Sequence, residues 1–127
     1  MVDPIFQSDN FKLAEKMLDA AALRQQAIAS NIANVDTPGY RRVDVAADFA
    51  TQLKASFKAG EKDVVDTLQP KLAEDPLART IRPDGNSVEL EHELLAMDKN
   101  SMDYNYLSEV VSQNIKQLKI AISGHSG

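Results

Sequence analysis

Residues 29–40 read Ala-Ser-Asn-Ile-Ala-Asn-Val-Asp-Thr-Pro-Gly-Tyr and mark the point where a helical segment has to end. Pro38 presets φ for the second position of a tight turn, and Gly39 permits the positive φ of the third position. Asn31 and Asn34 can hydrogen-bond carbonyls freed at the helix end or a neighbouring backbone. We therefore predict a helix that stops before the proline and leaves through a fixed turn.

The chain before this stretch carries apolar side chains at alternating steps of three and four, which is the heptad pattern of a helix packed on another helix. Seven of the eight positions along this line are apolar, and Gln25 is the exception. We predict a helix from about Phe11 to Val35, with a cap among residues 8–10. The positions assigned to its assembly seam are Phe11, Leu18, Ile28, Ile32 and Val35.

A second heptad pattern runs from about Val88 to Ile122. Asn86 with Glu89 three positions later fits a capping box, and Ser87 is the alternative cap. Acidic residues dominate the beginning of this segment and lysines its end, which complements a helix dipole. Its assembly seam is assigned to Leu90, Leu94, Met97, Tyr104, Val111, Ile115, Leu118 and Ile122.

The residues between the two patterns have weaker periodicity. Phe49, Leu53 and Phe57 recur at four-residue spacing and predict a short amphipathic helix. Residues 60–86 contain three prolines and two glycines and show no period. We interpret residues 60–86 as a mobile loop outside the core, with a short strand pair as an option.

The predicted fold is all-α, a coiled-coil-like hairpin of two long heptad helices with an irregular middle segment. Residues 1–35 form an N-terminal assembly helix, residues 36–86 the turn motif and a partly mobile middle, and residues 87–127 a C-terminal assembly helix. A chain of this size usually buries about two-thirds of its surface, which a two-helix hairpin does not achieve. We therefore expect other subunits to cover the heptad stripes.

Composition excludes several classes of function. The chain has 127 residues and a net charge of −5, which argues against a nucleic-acid binder. It has no cysteine, and its two histidines lie far apart in sequence, so no metal, cofactor or catalytic site is predicted. The acids around His92 point in different directions on a helix and fit the dipole better than a metal. No apolar run is long enough for membrane insertion, and we expect no cleavable signal peptide.

The motif in residues 29–40 closely resembles a signature of the flagellar rod and hook protein family, Asn-Ile-Ala-Asn-x-x-Thr-Pro-Gly-Tyr after an N-terminal helix. The matching positions are Asn31, Ile32, Ala33, Asn34, Thr37, Pro38, Gly39 and Tyr40. The short chain, the continuation through Arg41 and Arg42, and the opening of the second helix resemble the proximal-rod members of that family. The resemblance covers roughly residues 11–57 and 84–123.

This resemblance implies a structural subunit of the proximal rod of the bacterial flagellar basal body. Such a subunit polymerises helically through its terminal helices and forms part of the drive shaft for motility. Its implied location is the periplasmic rod, reached by type III export without a cleavable signal. Its implied partners are other copies of itself, other flagellar rod proteins, the membrane-ring adaptor protein and the flagellar export apparatus.

Two hypotheses accompany this interpretation. A soluble helical adaptor or export chaperone is the alternative function, and it predicts a small defined oligomer. Within the rod interpretation, Arg41 and Arg42 would pair with acids of the next subunit, such as Glu89, Glu91 or Glu93.

Overall fold

The computed structural model describes the backbone of residues 4–78 and 80–124, with side chains other than those of residues 4–9, 118 and 121–124. In chain order the elements are α1 (Pro4–Ala33), β1 (Val43–Val45), α2 (Ala47–Lys58), α3 (Lys62–Thr67), β2 (Leu72–Glu74) and α4 (Leu90–Gly124). The chain is mostly helical with two long terminal helices, as predicted, and it also carries a small two-stranded sheet. Residues 1–3 and 125–127, at the outer ends of the two predicted assembly helices, lie outside the described residues.

The two long helices pack against each other in antiparallel orientation. Asn31 near the end of α1 bonds Glu93 near the start of α4, whereas Ala21 and Gln25 meet Asn100 farther along α4. The Asn100 side-chain amide donates to the Ala21 carbonyl and to the Gln25 side-chain oxygen, both at 2.9 Å. Gln25, the polar exception in the first heptad line, therefore has a polar partner on the facing helix.

The first helix begins earlier than predicted. It starts at Pro4, so the expected start near Phe11 and the expected cap among residues 8–10 are wrong. Proline fits the first helical position because its φ is already helical and its missing N–H would have no partner there. The heptad line begins only at Phe11, so the sequence pattern predicts the start of this helix too late in the chain.

The fourth helix also begins differently. The Glu93 amide donates to the Glu89 carbonyl at 3.0 Å, so Glu89 occupies the capping position and α4 starts at Leu90. The predicted capping box between Asn86 and Glu89 does not form, and Ser87 does not cap the helix either. Both side chains bond other parts of the chain. The Ser87 hydroxyl accepts from the Arg42 amide at 2.9 Å, and the bonds of Asn86 are described below.

The middle segment differs most from its prediction because it supplies much of the core. The predicted amphipathic helix is confirmed as α2, with Phe49 and Leu53 buried. Strands β1 and β2 pair in antiparallel register, with Asp44 opposite Ala73. The core cluster joins α1, β1, α2 and α3, and its buried members are Ala20, Val45, Phe49, Leu53 and Val65.

The short helix α3 explains why sequence periodicity did not reveal this core. It has six residues and contributes one buried side chain, Val65, too few to form a repeating pattern. Lysines of α1 hold its end, since Lys12 Nζ lies 2.6 Å from Asp66 Oδ1 and Lys16 Nζ donates to the Leu68 carbonyl at 2.8 Å. Residues 62–68 are therefore attached to α1 rather than forming a loop outside the core.

The Val65→Ala substitution tests whether the middle segment stabilises the fold. Val65 is 5% exposed, and its neighbour Val64 on the same helix is 40% exposed. We expect Val65→Ala to lower the free energy of unfolding by about 2 kcal/mol because buried methyl groups are lost and a cavity remains. Urea unfolding followed by circular dichroism measures this change. Val64→Ala is the matched control, with an expected change under about 0.5 kcal/mol, and equal effects would contradict the assignment.

Candidate functional site at the end of the first helix

The end of α1 is closed by side chains of the motif. The Asn34 backbone amide continues the helical pattern by donating to the Ser30 carbonyl at 3.1 Å, and the Asn34 side-chain amide donates to the same carbonyl at 2.9 Å. The Thr37 hydroxyl donates to Asn34 Oδ1 at 3.0 Å. The helix end is thus bonded to the turn that follows it.

The predicted turn at Pro38-Gly39 is confirmed. The Tyr40 amide donates to the Thr37 carbonyl at 3.2 Å, and Gly39 has a φ of +77°. The Gly39 amide donates to the Asp84 carbonyl at 2.8 Å, which brings the turn against the segment that precedes α4. Gly85 also has a positive φ, +86°, and a Cβ added there would lie 3.3 Å from the Gly39 Cα.

This close approach of two glycines gives a graded prediction. Gly39→Ala and Gly60→Ala should each cost about 1 kcal/mol, because a positive φ strains alanine while the space around each Cβ is open. Gly85→Ala should cost about 2 kcal/mol because its methyl group also presses on the backbone of Gly39. Urea unfolding of the three variants checks this order. Equal losses of unfolding free energy in the three variants would show that the contact between Gly85 and Gly39 does not affect stability.

Asn31 lies at the centre of the site and is fully buried. Its side chain forms a pair of hydrogen bonds with β1, accepting from the Val43 amide and donating to the Val43 carbonyl, both at 2.9 Å. The Asn31 amide also donates to Glu93 Oε2 at 3.2 Å, and its oxygen accepts from the Tyr40 hydroxyl at 3.2 Å. One side chain of α1 therefore contacts β1, the turn and α4.

Arg42 is the only cation bonded directly to buried Glu93 among the described residues. Its Nε donates to Glu93 Oε1 at 2.7 Å, its Nη1 bonds Asp75, and Asp44 Oδ2 lies 3.7 Å from the same nitrogen. Burial of the guanidinium lowers the pKa of Arg42, but the hydrogen bonds and charges of Glu93 and Asp75 outweigh it, so the net pKa is raised. Arg42 stays charged at every pH that a cell encounters.

This geometry corrects the proposed pairing of Arg42 with the next subunit. Arg42 is buried and pairs with Glu93 of its own chain, because the antiparallel helices bring the end of α1 and β1 to the start of α4. Arg41, Glu91 and Glu89 are not buried in this way. The pairing between subunits is therefore no longer available to Arg42 or Glu93.

Asn86 ties the segment before α4 to the turn after α1. Its side-chain amide donates to the carbonyls of Asn34, Val35 and Thr37 at 2.9, 3.2 and 2.8 Å. Its side-chain oxygen accepts from the Val88 amide at 2.7 Å, and the residue is fully buried. We call the set of bonded polar residues at this place the polar junction. Its members are Asn31, Tyr40, Arg42, Asn86, Ser87 and Glu93.

The predicted assembly seams lie on surfaces of different exposure. In the first seam, Ile28 is buried, and Phe11, Leu18, Ile32 and, just after α1, Val35 are half-buried. On α4 the face toward α1 carries Glu93 and Asn100, so the predicted seam is displaced from it. Met97 and Val111 are half-buried, whereas four seam residues are 41–44% exposed, namely Leu90, Leu94, Tyr104 and Ile115. The side chains of Leu118 and Ile122 lie outside those that the structure describes.

A metal-binding cluster and a membrane-spanning helix are two features that the described residues do not provide. Within it, no group of three or more His, Cys, Asp or Glu residues is arranged to hold a metal ion. The carboxylate of Glu93 is bonded to Arg42 and Asn31. No helix among the described residues combines the length and apolarity that a membrane crossing requires.

The family relationship follows from sequence similarity over most of the chain. Residues 14–41 match the model of the family described as Flagella basal body rod protein. The flagellar basal body rod protein FlgB of Escherichia coli (strain K12) is 31% identical over 121 residues, covering 83% of this chain and 86% of that relative. This chain belongs to the FlgB family. FlgB of Salmonella typhimurium is 31% identical over 129 residues, covering 89% and 92%, and FlgB of Borreliella burgdorferi is 25% identical over 127 residues, covering 86% and 92%.

Membership in the FlgB family confirms the predicted resemblance. The family is one of structural flagellar rod proteins rather than of enzymes, and a rod protein associates with other components of the basal body. The motif residues Asn31 to Tyr40 fall inside the matched residues 14–41. The rest of the polar junction lies outside them, at Arg42 and on the α4 side of the chain.

Sequence reasoning in this FlgB chain missed how the polar junction is assembled. Asn86 is predicted to cap a helix, and Glu93 is expected to complement the helix dipole or to pair with an arginine of the next subunit. A weak signal did exist in four residues of α4 that follow one another at steps of seven. Glu93 and Asn100 are buried, and Leu107 and Asn114 are half-buried. That line faces α1, but three of its four members are polar, so an apolar heptad pattern did not select it.

Proposed function

We propose that this chain is a structural subunit of the proximal rod of the bacterial flagellar basal body. In this role it polymerises helically through α1 and α4 and forms part of the drive shaft for motility. The observation that carries the proposal is the exposure of the α4 seam, with Leu90, Leu94, Tyr104 and Ile115 uncovered in the single chain. Membership in the FlgB family supports the same role.

The physical argument is the incomplete burial of the long helices. Exposed apolar positions repeat along α4 from Leu90 to Ile120, and a soluble chain rarely leaves such a surface without a partner. Contacts between non-identical surfaces that do not close produce a helical assembly. In the proposed rod, helices of adjacent subunits cover the two assembly helices, residues 1–35 and 87–127, and the polar junction fixes their arrangement within each subunit.

The proposed partners are other copies of this chain, other flagellar rod proteins and the adaptor protein of the membrane ring. The flagellar export apparatus would deliver the chain to the periplasmic rod. The proposal includes no nucleic acid, no cofactor, no enzymatic activity and no insertion into the membrane. It distinguishes this chain from a soluble adaptor or export chaperone, which would form a small oligomer and would not enter the basal body.

Electron microscopy of cells that lack this chain tests the proposal. We expect loss of rod, hook and filament, with restoration by the intact chain but not by a chain truncated before Val88. Western blotting of isolated basal bodies with an antibody to the chain supplies a direct readout. Normal flagella in the deleted cells, with no second copy of the gene, would contradict the rod role and favour the adaptor.

A further inference from the structure

A large apolar groove lies between α1, α2 and α4. Its volume is about 800 Å³, and it is lined mainly by apolar side chains of these three helices and of β1. Phe49 and Leu53 form its floor as part of the core, while Met17 of α1 and Ala50 of α2 are exposed on its walls. The described residues of this chain leave the groove unfilled, although its lining suits an apolar surface.

The charge of the groove comes mainly from lysines. Lys54 and Lys58 of α2 line it, and neither pairs with a carboxylate among the residues that the structure describes. Arg24 also lines the groove but already bonds Asp44, with Nε 3.2 Å from Oδ1. Asp103 of α4 is the one acid in the lining. The α2 wall therefore carries two positive charges that lack an internal partner.

The outer face of α4 carries the opposite charge to the α2 wall of the groove. Leu95 and Met102 are each 71% exposed. Glu91 and Asp98 lie on the same line, because positions 91, 95, 98 and 102 are separated by steps of four and three. Among the described residues, neither acid pairs with a cation, and the face points away from α1. It is apolar with negative charges at intervals.

We propose that the groove of one copy binds the outer face of α4, residues 91–102, of a second copy of this chain. Leu95 and Met102 would cover the apolar floor and walls, while Glu91 and Asp98 would approach Lys54 and Lys58. Residues 91–102 and α2 each contain twelve residues and span about 17 Å along the helix, so the two surfaces match in length. Complementary charge sets the register of such a contact and disfavours other partners.

This contact joins two different surfaces, so it repeats from subunit to subunit instead of closing into a twofold dimer. The inference rests on the proposed rod function and adds which surfaces two copies share. It is specific to a second copy, because both halves of the charge and shape match lie on this chain.

Disulfide cross-linking tests the contact directly, since the chain contains no cysteine. Two copies are expressed together in otherwise deleted cells, one carrying Ala50→Cys and a tag, the other Met102→Cys. Only contact between subunits can join them. The matched control replaces Met102→Cys with Ser112→Cys, an exposed position about 15 Å farther along α4. Basal bodies are isolated, oxidised and resolved without reductant.

Charge reversal provides a second, independent readout. We expect Lys54→Glu with Lys58→Glu, or Glu91→Lys with Asp98→Lys, to reduce the cross-linked fraction and the swimming diameter at least fivefold. Combining all four substitutions in one chain should restore both, because the opposite charges then face each other again. All four side chains are exposed, so none of the changes disturbs the core.

The outcomes separate this inference from the proposed function. A tagged dimer with Met102→Cys but not with Ser112→Cys, together with rescue by the combined reversals, supports the contact. Chains present in basal bodies without the dimer, or joined instead to a protein of different mass, overturn the contact and leave the rod role intact. Absence of even the unsubstituted chain from basal bodies overturns the rod role and with it this contact.

Discussion

Replacement of Arg42 by methionine is expected to lower the free energy of unfolding by about 3–5 kcal/mol. Methionine occupies a similar space, but the fully buried carboxylate of Glu93 then loses the cation that bonds it at 2.7 Å. The side-chain amide of Asn31 remains as its polar contact, and one neutral donor does not offset a buried charge. Urea unfolding followed by circular dichroism measures the change.

A double substitution provides the control for this prediction. Arg42→Met with Glu93→Leu removes both charges, and we expect it to recover more than half of the loss, since an apolar pair tolerates burial. The raised pKa of Arg42 means that its pairing contributes fully below the ordinary pKa of arginine and declines only above it, so the effect should not vary around neutral pH. A double variant as unstable as the sum of the single variants would contradict this explanation.

The second large effect is expected for Asn86→Asp, which should lower the free energy of unfolding by about 3 kcal/mol at neutral pH. The substitution keeps the shape of the side chain, but it replaces three N–H···O hydrogen bonds by contacts between oxygen atoms. A charge is also placed in a fully buried position. Thermal and urea unfolding both report the loss.

Asn105→Asp is the matched control because the same chemical change falls on an exposed position of α4. We expect it to change the free energy of unfolding by less than about 0.5 kcal/mol. Comparable effects at the two positions would mean that the three bonds of Asn86 do not hold the turn. A selective effect at Asn86 would show that the segment before α4 and the end of α1 stabilise each other.

Local patterns predicted the parts of the fold that depend on neighbouring residues. Heptad spacing identified both long helices, four-residue spacing identified α2, and Pro38 with Gly39 identified the turn. The start of α1 differs from its prediction because the helix begins at Pro4, a residue suited to the first helical position, whereas the heptad line begins only at Phe11. The apolar heptad line on α4 lies beside the face that contacts α1, with Leu90, Leu94, Tyr104 and Ile115 41–44% exposed.

The polar junction could not be predicted because its contacts join residues far apart in sequence. Asn31 and Glu93 are separated by 62 positions, and Arg42 and Glu93 by 51. Each of these residues has an ordinary local explanation as a cap, a dipole-complementing acid or an exposed cation. The antiparallel packing of α1 and α4, together with β1 after the turn, brings the side chains of Asn31, Arg42 and Glu93 to one place.

The composition of the polar junction also bears on how the helix pair resists sliding. Apolar contacts are non-directional, so one helix can shift along another and exchange one set of partners for a similar set. Hydrogen bonds require the donor and the acceptor to lie within a few tenths of an ångström of their preferred separation. A slip of α4 by one helical turn, about 5.4 Å, would separate Glu93 from both Arg42 and Asn31 at once. Axial load on either helix therefore has to break these bonds together before the two helices can slide at this end of the hairpin.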